Sequence, residues 1–116
     1  MLISTVRQNW VELEQFVHDE VHCNGEPIGL PGYREMLERD FREIADLYFN
    51  IQLLICEPPR IASRLGFDCT PRGSFVRLEI NGRKVSFAEN VFYEFDGRLI
   101  KSVWSIIDKV AIETQL

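Results

Sequence analysis

From Leu47 to Ile107 apolar side chains return at every second position, in runs separated by turn residues. Leu47, Phe49, Ile51, Leu53 and Ile55 share one face of a first strand, which Pro58-Pro59 ends. Ile61, Ser63, Leu65 and Phe67 share a face of the next, and Thr70-Pro71-Arg72-Gly73 reads as a turn. Val76, Leu78 and Ile80 alternate up to Asn81-Gly82, a strong hairpin signal. Val85, Phe87, Glu89, Val91, Tyr93 and Phe95 mark a long strand, Asp96-Gly97 a turn, and Ile100, Ser102, Trp104 and Ile106 a last strand. A period of two puts one face of each strand against a core and leaves the other for water or a partner. Such a chain must build an antiparallel sheet, and the sheet needs a cover.

The cover precedes it. Residues 5–22 read as a helix whose stripe is Val6, Trp10, Leu13, Val17 and Val21, with Thr5 and Gln8 spaced as a capping box. Residues 23–29 carry turn chemistry. A second helix begins near Pro31, carries Tyr33, Met36, Leu37, Phe41 and Ile44, and fades by Asp46. Asp108 opens a short last helix ending in Gln115-Leu116. Helices, then hairpins, then a helix make an α+β domain, a single unit over 1–116. Eight phenylalanines suggest a deep core or an apolar cavity. The other sheet face is half apolar, with Leu54, Ala88, Phe92 and Val103, and predicts a homodimer there.

Charge excludes several functions. Thirteen basic and eighteen acidic residues give a net charge of −5. An acidic chain without a basic stripe suits neither nucleic acid nor an anionic membrane surface. No apolar run approaches the ~18 residues of a membrane span, and the N-terminus does not read as a signal peptide. Three widely spaced cysteines, Cys23, Cys56 and Cys69, read as free thiols of a cytoplasmic protein. GxSxG, GxGxxG and phosphate-loop motifs are missing.

Three features carry chemistry. Glu89 stands at an apolar position of its strand, where a carboxylate needs either an arginine partner or a wet pocket that raises its pKa. Asp108 continues the parity of Trp104 and Ile106; it is either a helix cap or a general base beside an indole. His18 and His22, four apart with Cys23 adjacent, have a spacing that metals use, but no third ligand accompanies them. Helix-end histidines account for them, and no metal is expected. His22, Asn24 and Tyr33 remain candidates for a pocket rim or wall. The shared parity predicts that Glu89, Tyr93, Trp104 and Asp108 line one pocket.

The stretch Phe92-Tyr93-Glu94-Phe95-Asp96-Gly97-Arg98-Leu99-Ile100, with Trp104, Asp108 and Gln115-Leu116 after it, resembles the C-terminal signature of SnoaL-like polyketide cyclases, also called predicted ester cyclases. Asn24-Gly25, Gly32-Tyr33, Ala45-Asp46-Leu47, Thr70 and Gly73 extend the likeness over nearly the whole chain. The resemblance implies a cone-shaped α+β barrel of the nuclear transport factor-like and ketosteroid isomerase-like superfamily, with a curved antiparallel sheet around the helices. It implies dimers through the outer sheet face, a small apolar molecule in the cavity and no cofactor. Asp108 matches the family's cavity aspartate, the acid/base of an intramolecular aldol closure. The family's late-strand histidine is missing, which leaves Glu89 and Tyr93 as the ionisable groups in the core parity there, and Pro71 replaces the histidine after the turn threonine. The expected activity is cofactor-independent acid/base chemistry on an apolar carbonyl compound. The alternatives are a non-catalytic ligand-binding module, or an isomerase or dehydratase on the same scaffold.

Overall fold

The computed structural model describes residues 10–116. A 3-10 helix, Trp10–Gln15, leads into strand β1, Val17–Cys23, and then helix α1, Gly29–Glu43. Strands β2 (Asn50–Glu57), β3 (Arg60–Cys69), β4 (Ser74–Phe75), β5 (Leu78–Glu79), β6 (Val85–Asp96) and β7 (Leu99–Ile107) follow, and α2, Lys109–Glu113, ends the chain. The main sheet runs β1-β7-β6-β3-β2. Its four long neighbours pair antiparallel, while β1 joins β7 in parallel. This is the expected α+β architecture, a curved sheet with helix α1 against its inner face.

The expected first helix fails beyond Gln15, because Val17–Cys23 is a strand. Val17 and Val21 are both buried, and a step of four keeps two residues on one face of a helix or of a strand. The spacing therefore does not discriminate, and β-branched valines favour the strand. His18 and His22 accordingly lie on β1 and not at a helix end. The proposed cap Thr5 and its partner Gln8 lie outside the described residues. Helix α1 is as expected, with Tyr33, Leu37 and Ile44 buried.

The β3–β6 ladder is unbroken from Arg60↔Glu94 to Cys69↔Val85, so parity holds along it. Leu65, Phe67, Phe87, Val91 and Tyr93 are buried on the inner face, as their spacing predicts. The two flanking ladders carry bulges. In β7, Lys101 is an extra residue between the Phe95↔Ile100 and Glu94↔Ser102 rungs. Beyond it Val103, Ser105 and Ile107 turn inward, opposite Tyr93, Val91 and Glu89. Trp104 and Ile106 turn outward and are 41% and 73% exposed. In β2, Gln52 is the extra residue, and past it Leu54 faces inward opposite Ser63 while Leu53 and Ile55 face outward. The side chain of Gln52 lies across Gly66 and leaves no room for a Cβ there. One extra residue flips every later side chain to the other face.

These bulges correct the expected dimer patch. Val103 is buried inside, Leu54 is on the inner side and Ala88 is buried beside α2, so Phe92 alone of the four is an exposed outer-face residue. The outer apolar row is instead Ile55, Ala62, Phe92 and Trp104, consecutive register partners across four strands.

Asn81-Gly82 does turn, but it does not join two paired strands. β5 pairs back onto β4 through Val76 and Arg77, both at positive φ (46° and 64°). Phe75 of this small hairpin packs on Phe87, 5.5 Å between centroids, at the end of a chain of rings running Phe41, Phe49, Phe67, Phe87. Two side chains close the remaining backbone. Asp46 accepts the Thr70 N–H at 2.8 Å and its hydroxyl at 2.9 Å. Gln115 accepts the Ser86 N–H and donates to the Ser86 carbonyl, standing in for a strand where β6 runs past the end of β7.

Candidate active site

Helix α1, the β4–β5 hairpin and the inner face of β6 and β7 enclose a recess of about 560 Å³. Its apolar wall is Leu37, Phe49, Leu65, Phe75, Val91 and Ile107. Its polar groups are Glu89 and Tyr93 from β6, Ser105 from β7, Tyr33 and Asp40 from α1, and Cys23 and Asn24 at the end of β1. Arg39, Glu43 and Lys109 also line it.

Glu89 occupies the rung between Leu65 and Ile107, apolar neighbours on both sides. The alternative of a buried ion pair fails, since Glu89 has no cationic partner among the described residues. Its one side-chain hydrogen bond among the described residues is from the Ser105 hydroxyl to Oε2. Burial drives its pKa up, and the Ser105 bond pulls the other way. Asp40 is also held up, to about 6, chiefly by burial; Arg39 opposes the shift, and the charges of Glu89 and Glu43 add to it. Both phenols are raised as well, Tyr93 by burial and by Glu89, and Tyr33 by burial, Tyr93, Cys23 and both carboxylates. They stay protonated donors at any physiological pH. Neither phenol hydroxyl has a hydrogen-bond partner among the described residues.

Four of the seven expected site residues therefore meet: Glu89, Tyr93, Tyr33 and Asn24. Three do not. Trp104 is on the outer face because of the Lys101 bulge. Asp108 follows Ile107, the inward partner of Glu89, and one step along a strand reverses the face. Its carboxylate caps α2 by accepting the Ala111 N–H at 3.1 Å, and it borders an outer-face groove with Arg64, Asp68 and Ser86. His22 is exposed outside the recess, its Nδ1 3.1 Å from the Glu20 carbonyl. No group of three or more potential metal ligands clusters among the described residues.

Asp40 and Ser105 were missed. The signal for Asp40 was in plain view: seven residues after Tyr33 and four after Met36, it is a carboxylate on the apolar stripe of a helix, as Glu89 is on the apolar face of a strand. Ser105 had no signal, because its inward direction follows from the bulge.

Comparison with known proteins places the chain in a family and a fold. The family model for SnoaL-like polyketide cyclases matches residues 3–116. A SnoaL-like polyketide cyclase from Agrobacterium tumefaciens str. C58 is 49% identical, with a TM-score of 0.96 over 98% of this chain and 91% of that one. TsrD from Streptomyces laurentii is 20% identical, with a TM-score of 0.82 over 98% and 87% of the two chains. AclR from Streptomyces galilaeus, a candidate hydroxylase, is 14% identical, with a TM-score of 0.75 over 98% and 88%. The last two show a common fold. No curated protein matches the sequence. No helix among the described residues is long and apolar enough to cross a membrane. A family match over nearly the full length and a close structural relative lead to one conclusion: the chain belongs to the SnoaL-like polyketide cyclase family.

Proposed function

We propose that the recess closes a ring on a small polyketide-type carbonyl compound, with Glu89 as the base. The observation that carries this reading is Glu89 itself, a carboxylate on an apolar face, with no counter-ion among the described residues and beside two phenols that find no acceptor among them. Glu89 takes a proton from the carbon between two carbonyls, and the electron pair moves onto a carbonyl oxygen. The hydroxyls of Tyr93 and Tyr33 hold the developing enolate. The enolate carbon attacks a third carbonyl further along the same molecule, and the resulting alkoxide takes a proton from Asp40 in its acid form. Glu89 then returns its proton through water, which restores both carboxyls. Two carboxyls in one recess, both raised by burial and only Glu89 holding a hydrogen-bond donor, suit a base and an acid in one site. The chemistry is proton transfer and carbon–carbon bond formation with no net redox change, and it calls for no cofactor. Asp108 serves in this scheme as a cap.

A panel of linear β-keto esters that carry a further ketone along the chain, followed by chromatography because ring closure leaves the mass unchanged, tests the reading. Wild type should convert at least one member. Glu89→Gln should slow it by roughly 10²–10⁴-fold, the usual scale of acid–base catalysis. A Glu89→Gln protein that cyclises at the wild-type rate would leave the recess as a binding site for some other chemistry.

Two copies are proposed to pair through the outer row of Ile55, Ala62, Phe92 and Trp104. The next row carries Glu57, Arg60 and Glu94, with Lys101 3.3 Å from Glu94. Both signs beside an apolar stripe allow a two-fold partner to meet itself.

A further inference from the structure

We infer that Asn24 and Ser105 are positioning residues that hold Glu89 by one oxygen and leave its other oxygen as the one that receives the substrate proton. The inference rests on the reading of Glu89 as the base. The order of bonds is continuous. Asn24 follows the last residue of β1 and adopts φ +50°, a conformation that asparagine tolerates better than most residues. From there its backbone N–H donates to the Val103 carbonyl at 2.8 Å, and its side-chain Oδ1 accepts the Ser105 N–H at 2.8 Å. Asn24 thus continues the parallel pairing of β1 on β7 by one more residue, using a side chain in place of backbone. That anchors β7 at the residue whose hydroxyl donates to Glu89 Oε2.

The consequence is chemical. The inward turn of Ser105 comes from the Lys101 bulge, and its fixed backbone leaves the hydroxyl beside Glu89. A donor on Oε2 favours the ionised carboxylate, the form that accepts a proton. Oε1 has no partner among the described residues, so it is the oxygen available to a carbon acid in the recess. Without Ser105, burial alone acts on Glu89, and the fraction of ready base at neutral pH falls.

The test compares Ser105→Thr with Ser105→Val, two β-branched side chains of one shape that differ in the hydroxyl, together with Asn24→Gly, which accepts the positive φ and removes the side chain. The readout is the titration midpoint of the Glu89 carboxyl by ¹³C NMR of glutamate-labelled protein, assigned by its loss in Glu89→Gln. Ser105→Thr should keep the wild-type midpoint, and Ser105→Val should move it upward. Asn24→Gly should move it the same way by less. On a converted substrate, kcat/KM at pH 7 should fall roughly tenfold to a hundredfold in Ser105→Val, as for loss of a hydrogen bond to a charged group, and recover at higher pH. Equal midpoints in the Thr and Val proteins would overturn the inference. A midpoint that moves while Glu89→Gln still turns over normally would uphold the hydrogen bond and overturn Glu89 as the base.

Discussion

The β3–β6 and β6–β7 ladders share a strand and differ in one respect. The first runs ten rungs without a break; the second carries one extra residue, Lys101. Along the first, alternation in the sequence states correctly which side chains face the core, and Glu89 and Tyr93 are found where it puts them. Along the second, the same alternation fails after Ile100, sending Trp104 and Asp108 to the wrong face and hiding Ser105. A bulge costs the ladder little locally, but it decides which side chains meet the recess. The site is thus assembled from one strand that obeys its periodicity and one that departs from it.

Shifting the register beyond the departure gives the largest effect. Inserting one alanine after Ser102, with the Glu94↔Ser102 rung kept, would turn Val103, Ser105 and Ile107 outward and Trp104 and Ile106 inward. A cooperative fold with about 5–15 kcal/mol of stability should not survive that exchange, and circular dichroism should show an unfolded or molten protein. A well-folded insertion variant would mean that the register beyond Ser102 does not set the face.

Next in size is Asp40, the carboxyl carried by the helix opposite those strands. Its folded pKa of about 6 lies above the ordinary 3.8, so its contribution is neutral below the lower figure, turns destabilising as pH rises between the two, and is complete above the upper. Asp40→Asn should therefore stabilise the protein at pH 8 by roughly 1–3 kcal/mol, and the gain should vanish below about pH 4. Denaturant titrations at several pH values read this directly; a pH-independent difference would contradict the burial of Asp40.

Asp108 separates the two ladders more finely. As a cap it should lose about 0.5–2 kcal/mol on substitution to alanine and a few tenths at most on substitution to asparagine, measured by thermal melts. Equal losses in the two variants would remove the cap as its role.

The smallest effect on the monomer belongs to Trp104. Trp104→Gln should change folding stability by about 0.5 kcal/mol or less and leave the pH dependence of the recess unchanged, while sedimentation shifts from dimer to monomer. A dimer that tolerates both Trp104→Gln and Phe92→Gln would place the interface elsewhere.

Most of the fold was legible because hydrophobic alternation and turn residues are local signals. Helix α1, the long strand β6, the Gly97 turn and the capped α2 all follow from residues a few positions apart. What stayed hidden is non-local. The strand Val17–Cys23 shares its four-residue spacing with a helix and is settled only by pairing with β7. The inserted residues Gln52 and Lys101 carry no glycine or proline to announce a bulge, and their effect appears only in register. Asn81-Gly82 turned as its chemistry demands, yet Val76 and Arg77 made the hairpin that closes over the recess, in a conformation neither residue favours. In the site, Glu89 was readable from a carboxylate out of place on a strand. Asp40 is less readable on its helix stripe, because helical periodicity blurs one misplaced charge more than alternation does.

Exchange of deuterium from solvent into the carbon between the carbonyls of a bound β-keto ester, followed by ¹H NMR in wild type, Glu89→Gln and Asp108→Asn, tests the central claim most directly. It reads proton abstraction alone, whether or not a ring closes. With Glu89 inside the recess and Asp108 outside it, exchange should fall roughly 10²–10⁴-fold in Glu89→Gln and stay at the wild-type rate in Asp108→Asn. The reverse pattern, with Asp108→Asn inert and Glu89→Gln active, would contradict the account.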